Sequence, residues 1–442
     1  MKKIVTRCLI GVMVLFMASI FLRLFTQNVL IEILHMNNGF TQIVVYDKPV
    51  SEESVTNNIN WAKLYPFQNN DTIKINKPII FKERISGIEE KIEKYTKDYL
   101  VSRMNFVKSA ARYEKLIGWN LLNGDVYDLG DGWLTELVKK VEILPSQSEQ
   151  NVHDITTPAA ALYEFNDFLA DSDIGFLYVQ SPHKISKEDK IIGASDFSNE
   201  NADELLKALL LRHISYLDLR ENIRQENLDH HSLFYKTDHH WKAETGLWAA
   251  GIIAEYLNVN NGFDIDLEVF DPKQYRYDVY ADWFLGSAGK KVTLVQTPPE
   301  DISLIYPRFN TSFSSKIPSK NIDTEGAFDI FYDYRQVNEV DYYNLSPYVA
   351  YLYGDVPNVI IRNNFLYDNK RILVIKDSFV NCVNPFLSLG IEYVEVLDMR
   401  HFTGSVKTYI KQHKPDMVIV MYNPGSIKTP DYATHISLFD FR

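Results

Sequence analysis

The feature that most constrains this chain is an alternation: short apolar runs recur between stretches with helical spacing. The pattern predicts strands at Ile174–Val179, Tyr216–Leu219, Arg371–Ile375, Tyr393–Leu397 and Met417–Tyr422. It predicts helices at Ala159–Ala170, Ala202–His213, Glu244–Tyr256 and Phe402–His413, with an earlier one over Ile88–Leu121. The runs at 174–179 and 417–422 are apolar almost throughout, so no side of such a strand faces water. Strands of that kind with helices between them predict an α/β class, a parallel central sheet covered on both faces. From about Phe263 to Tyr367 the rhythm changes. Gly, Pro, Ser and Asn are scattered through short aromatic pieces, which reads as a β-rich or irregular insertion in the same domain.

Bulk properties exclude some functions. The 442 residues are enough for one large core, and a net charge of -12 argues against non-specific nucleic-acid binding. The 27 Tyr would suit stacking on sugars, although packing explains them as well. Lys2, Lys3 and Arg7 precede an uncharged stretch from Cys8 to Leu22. A basic flank followed by an apolar run is the pattern of an export signal or signal anchor. No clear cleavage word follows, so an uncleaved anchor over 1–27 is expected. A membrane-proximal segment over 28–100 and an α/β domain over 101–442 would follow it. Basic residues stay inside, so the domain is expected outside the cytoplasm on a single-pass anchor, or secreted if the segment is cleaved. Cys8 and Cys382 are not expected to pair, so no disulfide is required. Cys382 reads as a small buried residue rather than a nucleophile.

Two words carry the chemistry: Asp238-His239-His240-Trp241 and Lys376-Asp377-Ser378-Phe379. In extended backbone, residues two apart point the same way, so Asp238 is able to hold one nitrogen of His240 while the other faces a hydroxyl. The structural alternative is that Asp238 caps the helix after Trp241 and the histidines only pack. Ser378 follows one predicted strand, Asp398 and Arg400 follow a second, and Asn423 follows a third. In a parallel sheet all would lie on the carboxyl edge, where ligands gather. The Ser378 N–H, the Asn423 side chain and Gly404 are candidate oxyanion donors. Asn423-Pro424-Gly425 also reads as an ordinary turn, and Gly404 as a helix start. Arg400 has two readings, a ligand for a substrate carboxylate or a partner for Asp398. Asp229-His230-His231 repeats the Asp-His-His triplet, but adjacent histidines diverge and chelate poorly. His230-His231 reads as a solvated turn. Neither a metal nor another cofactor is called for.

The ordered set of words resembles the DHHW family of SGNH-hydrolase-like proteins and is similar to the periplasmic alginate O-acetyltransferase proteins. Gly286-Ser287, Pro385-Phe386, Asp398–Phe402 and Lys414-Pro415-Asp416 add to the likeness. It runs from about Ile174 to Asn423. The resemblance implies a three-layer α/β/α fold with a circularly permuted motif order, because the Asp/His word precedes the serine word. It implies Ser378 as nucleophile, His240 as base, Asp238 as orienter, and Asn423 with Gly404 as oxyanion donors. Lys376 departs from the glycine that many relatives carry, and His239 from a small residue; His239 is expected to contribute least.

The implied activity is O-acetylation, or deacetylation, of an exported or cell-surface polysaccharide. A membrane-bound O-acyltransferase would supply the acetyl group. Two other readings stand beside it: a non-catalytic carbohydrate-binding or scaffolding component of a polysaccharide modification or export complex, and a secreted lipase- or protease-like hydrolase. The missing Gly-X-Ser-X-Gly elbow speaks against the usual lipase form.

Overall fold

The structure, a computed structural model, describes residues 121–122, 125–144, 157–189, 191, 194–427 and 438–442. The expected anchor (1–27), the membrane-proximal segment (28–100) and nearly all of the helix expected from Ile88 lie outside the described residues. Among the described residues, no helix is long and apolar enough to cross a membrane.

β1 (Leu121–Leu122), β2 (Val126–Asp128) and β3 (Leu134–Glu136) form a small antiparallel sheet, so Leu121 belongs to a strand rather than to the end of a helix. α1 (Pro158–Ala170), β4 (Gly175–Gln180), α2 (Ser198–Leu211), β5 (Tyr216–Asp218), α3 (Leu219–Gln225) and α4 (Ala243–Asn261) then alternate. β6 (Tyr275–Phe284) and β7 (Glu300–Pro307) pair as an antiparallel ribbon with α5 (Ser287–Val292) between them in sequence. Next come β8 (Phe313–Ile317), β9 (Ile322–Gly326) and β10 (Asn358–Asn363). β11 (Arg371–Lys376), the single turn α6 (Asn384–Leu387), β12 (Tyr393–Asp398), α7 (Val406–His413) and β13 (Met417–Tyr422) complete the order.

The central sheet has eight strands in the order β5-β4-β13-β11-β12-β10-β8-β9. The first five are mutually parallel, and β10, β8 and β9 join antiparallel. The sheet is therefore mixed rather than parallel throughout. The 263–367 region is β-rich, as expected, but it is not a free-standing insertion. Three of its strands extend the main sheet, using the edge of β12 that a wholly parallel sheet would leave unpaired.

Alternation within each parallel strand builds two cores. Leu177, Val179, Ile372, Val374, Ile419 and Met421 pack on one face with α4. Phe176, Tyr178, Leu373, Ile375, Val418 and Val420 pack on the other with residues of α1, α2 and α7. Both faces are apolar, which is why these strands read as continuous hydrophobic runs.

Local chemistry explains where element ends differ from expectation. Asp218 stops β5 and caps α3, accepting from the Arg220 N–H at 3.1 Å, so Leu219 is helical. Ser405 caps α7 through the Thr408 N–H at 3.1 Å, which moves its start to Val406.

Candidate active site

The parallel register sets the Ser378 side. Lys376 pairs with Asp398 on β12 and with Met421 on β13, so the residues following β11, β12 and β13 emerge on one edge. At Asp377 the chain turns. Asp377 Oδ1 accepts from the Phe379 N–H at 2.9 Å and starts a 3₁₀ turn over Ser378–Val380. Its Oδ2 accepts from the Asn423 N–H at 3.0 Å and from the Ser426 hydroxyl at 2.6 Å. One buried carboxylate thus ties the Ser378 turn to the Asn423 turn. Asn423 Oδ1 accepts from the Gly425 N–H at 2.7 Å, whereas Nδ2 has no partner among the described residues. Ser378, Asn423, Arg400, His183, His239 and Ser287 line a cavity of about 810 Å³, walled on another side by residues 135–139.

The Asp238–His240 side is a bend, not an extended strand. Asp238 Oδ1 accepts from the backbone N–H of His240 at 2.9 Å and from His240 Nδ1 at 2.5 Å. A local turn of this kind, rather than strand geometry, brings the two side chains together. Asp238 does not cap α4; Lys242 occupies that position without a side-chain bond. His240 Nε2 lies 3.0 Å from Ser378 Oγ. With Nδ1–H given to Asp238, Nε2 is the acceptor for the serine O–H.

Several contacts hold this bend. Asp238 Oδ2 accepts from the Ser287 N–H at 2.5 Å. A Cβ on Gly286 would stand 2.3 Å from Asp238 Cβ and 2.5 Å from the Thr237 carbonyl oxygen, so only glycine allows this approach. Tyr348 stacks on the His240 ring with centroids 3.9 Å apart, and its hydroxyl donates to the Ser378 and Phe379 carbonyls at 3.2 and 3.0 Å. Trp241 Nε1–H donates to the Phe379 carbonyl at 2.8 Å and its ring stacks on Phe379, joining the two words directly. Burial alone would raise the Asp238 carboxyl. The imidazoles of His240 and His239, the His240 bond and the Ser287 N–H outweigh it and hold the group well below the usual carboxylate range.

The other residues named from the sequence fall into different places. Arg400 lines the cavity and is also paired, with Nε and Nη2 bonded to Asp398 at 2.9 and 2.6 Å and Nη2 3.0 Å from Asp355. Lys376 is fully buried; its Nζ reaches Asp398 Oδ2 at 3.0 Å and Asn381 Oδ1 at 2.6 Å. The departure from glycine at 376 therefore comes with a buried Lys376–Asp398–Arg400 network. Gly404 is not among the residues lining the cavity. It sits in an exposed loop, where a Cβ would meet the Phe402 ring at 2.7 Å; its small size makes room for that ring. His239 does more than expected: it lines the cavity, lies against His240 with ring centroids 3.8 Å apart, and has Nδ1 3.2 Å from Ser287 Oγ. Cys382 is buried and its thiol is pushed up to about 12, mainly by desolvation, so it is no thiolate near pH 7. His231 begins a 3₁₀ turn, while His230 bonds back to the His183 carbonyl at 2.8 Å.

Asp238, His239 and His240 place possible ligand atoms within 4.8 Å of one another. Those atoms are already engaged with Ser287, Ser378 and each other, so a metal would have to displace the hydrogen-bonded chain. A second cavity of about 850 Å³ is lined by Tyr127, Trp133, His231, Lys236 and Glu300 among others, and none of the residues named as catalytic lies in it.

Comparison with known proteins places the fold. A family model described as "SGNH hydrolase-like domain, acetyltransferase AlgX" matches residues 130–276, which hold the Asp238–His240 word but not Ser378. Bacillus cereus PatB1, solved with a sulfonyl adduct, superimposes with a TM-score of 0.56 at 20% identity, covering 72% of this chain and 98% of that one. The fold is that of the SGNH hydrolase-like proteins. A DHHW family protein from Eubacterium siraeum superimposes with a TM-score of 0.53 at 17% identity, covering 71% of this chain and 95% of its own. No curated protein sequence is matched.

Sequence reasoning missed Tyr348, the 135–139 wall, the grip of Gly286-Ser287 on Asp238, and Lys184. Two of these had a usable signal: Gly286-Ser287 is part of the resemblance, and Lys184 follows the carboxyl end of β4 as Ser378 follows that of β11.

Proposed function

We propose that this protein is an extracytoplasmic serine-dependent O-acetyltransferase of the SGNH type, acting on an exported or cell-surface polysaccharide. The observation that carries this reading is the hydrogen-bonded line from Asp238 through His240 to Ser378 at 2.5 and 3.0 Å, opening on a cavity with a free Asn423 amide. The family model, described as an acetyltransferase, supports the acyl class.

In the first half-reaction His240 Nε2 takes the Ser378 proton as Oγ attacks the acetyl carbonyl. Asp238 stabilises the imidazolium and fixes its tautomer. Negative charge growing on the carbonyl oxygen is met by Asn423 Nδ2–H and by the Ser378 N–H, to which no described residue offers an acceptor. The imidazolium then protonates the leaving oxygen, and the acetyl group remains on Ser378. In the second half a sugar hydroxyl enters, gives its proton to Nε2 and attacks the acetyl-serine. The imidazolium returns that proton to Ser378 Oγ as its bond to the acetyl carbon breaks, leaving free serine and the acetylated sugar. With water as acceptor the same steps are hydrolysis.

An O-acyltransferase in the membrane as donor, and the export signal over 1–27, belong to the same proposal. The export signal rests on the sequence pattern, and the donor on the resemblance to the alginate O-acetyltransferase proteins.

The test is a chromogenic acetyl ester given to the purified protein with and without oligosaccharide. The reading expects donor cleavage to accelerate with sugar, acetylated sugar to form, and Ser378→Ala to lose at least about 10³-fold in rate. Cleavage and products indifferent to sugar would turn the assignment from transfer to hydrolysis. No cleavage at all would favour the binding or scaffolding role.

A further inference from the structure

One buried cation takes no part in the chemistry described so far. Lys184 lies just past the carboxyl end of β4 and is 1% exposed. Its Nζ donates to three backbone carbonyls, those of Leu134 at 2.5 Å, Lys236 at 2.7 Å and Asp238 at 2.9 Å. An ammonium has three N–H bonds, and backbone oxygens take all of them. Among the described residues it has no carboxylate within ion-pair distance; the Trp133 ring lies 5.3 Å away. Burial without such a partner is expensive and lowers the pKa of the group, with Glu300 and Asp238 opposing the shift from a distance. A lysine used only to fill space would be replaced at less cost by methionine.

Its partners give it a purpose. Leu134 belongs to β3, next to the segment that walls the Ser378 cavity, while Lys236 and Asp238 belong to the bend that ends at His240. Lys184 is the only donor to the Asp238 carbonyl among the described residues. Glu300 holds the same bend through its donors: the Lys236 N–H at 2.8 Å, and the Thr237 N–H and hydroxyl at 2.7 and 2.5 Å. A cation grips the carbonyls of the bend and an anion grips its amides. The Lys236 carbonyl also accepts from the Leu134 N–H and the Thr237 carbonyl from the Gly289 N–H, both at 2.9 Å, whereas the Asp238 carbonyl, next to His239 and His240, has Lys184 alone among the described residues.

We propose that Lys184 is a positioning residue that sets the Asp238–His240 pair against Ser378 by clamping the carbonyls of the 236–238 bend, with Glu300 as its counterpart on the amide side. The inference rests on the catalytic reading of that pair, and it assigns Lys184 no contact with substrate. The clamp controls the distance from Nε2 to Oγ, so its loss lowers the rate of Ser378 acylation without changing substrate binding.

The test has two arms. In Lys184→Met, kcat and the rate of Ser378 labelling by a fluorophosphonate should both fall at least roughly tenfold, with KM within about twofold. Glu300→Gln should show the same split more mildly, and it stands in if the methionine variant does not fold. A lysine that only stabilised the fold would lower the unfolding temperature and leave kcat of the folded enzyme unchanged; that result overturns the proposal. The second arm uses unreacted full-length protein labelled with ¹⁵N at lysine Nζ, in mildly acidic buffer. Beside any signal from the fully buried Lys376, a second ammonium signal protected from exchange, absent in Lys184→Met and shifted in Glu300→Gln, is expected. A spectrum without it overturns the clamp. The second arm does not depend on Ser378 reactivity, so a wild-type protein that fails to label would count against the catalytic reading and leave the clamp to be judged by the spectrum.

Discussion

The two halves of the candidate site are built in different ways. Ser378 and Asn423 stand at the ends of adjacent parallel strands, and the register of β11 against β13 brings them together before any side chain acts. Asp238 and His240 stand on a bend with no ladder beneath it. A local turn joins the two side chains, and residues distant in sequence place the pair: Lys184 and Glu300 on its backbone, Gly286 and Ser287 against Asp238, Tyr348 under the imidazole. The first half inherits its geometry from the sheet, and the second is assembled from tertiary contacts. Substitutions that spare the core should therefore disturb the second half far more than the first.

The sharpest contrast is between two glycines. Gly286→Ala puts a methyl against Asp238 and the Thr237 carbonyl, and should cost about 100-fold in kcat/KM with the sheet intact by circular dichroism. Gly404→Ala meets only the end of the Phe402 ring in an exposed loop and should change activity less than about twofold. Equal losses in the two variants would break the comparison.

Tyr348→Phe should have a smaller effect. The ring that stacks on His240 stays, and the hydroxyl is lost. The Phe379 carbonyl keeps the Trp241 donor and the Ser378 carbonyl keeps the Asn381 N–H, so neither is stranded. A stability loss of about 1 kcal/mol by urea titration is expected, with activity reduced a few-fold. A loss as deep as that of Gly286→Ala would mean that the hydroxyl, not the ring, positions the pair.

The smallest effect is in acid. Asp238 is held below its unfolded value, so its contribution to stability is fully present above about pH 4 and is lost as pH falls through the folded value. The stability gap between the wild type and Asp238→Asn, from urea unfolding between about pH 6 and 3, should therefore narrow toward the acid end. A gap that does not vary with pH would show that the carboxylate's environment is not the one described.

The same contrast explains what the sequence made legible. The parallel strands announce themselves because both faces are buried, and their ends then locate Ser378, Asn423 and Arg400 without further information. The Asp238–His240 pair was visible as a word, but the reason its side chains meet, a side-chain-to-backbone turn, was not the extended geometry that spacing suggested. Gly404 was misplaced because position in a loop does not say which way the loop runs. Tyr348 lies far in sequence from both words, and no local pattern connects it to His240. The three antiparallel strands of the 263–367 region were read as an insertion because the pairing of β10 with β12, which carries β8 and β9 into the sheet, is a long-range event. Short aromatic pieces do not reveal which edge they will join.

The central claim is that Ser378 becomes acylated with His240 as its base. The most direct measurement is mass spectrometry of peptides from protein quenched in acid during turnover of an acetyl ester. One acetyl group on the peptide bearing Ser378, present in the wild type and lost in His240→Ala, is the predicted result. Turnover with no acetyl group on that peptide, or equal labelling in His240→Ala, would contradict it.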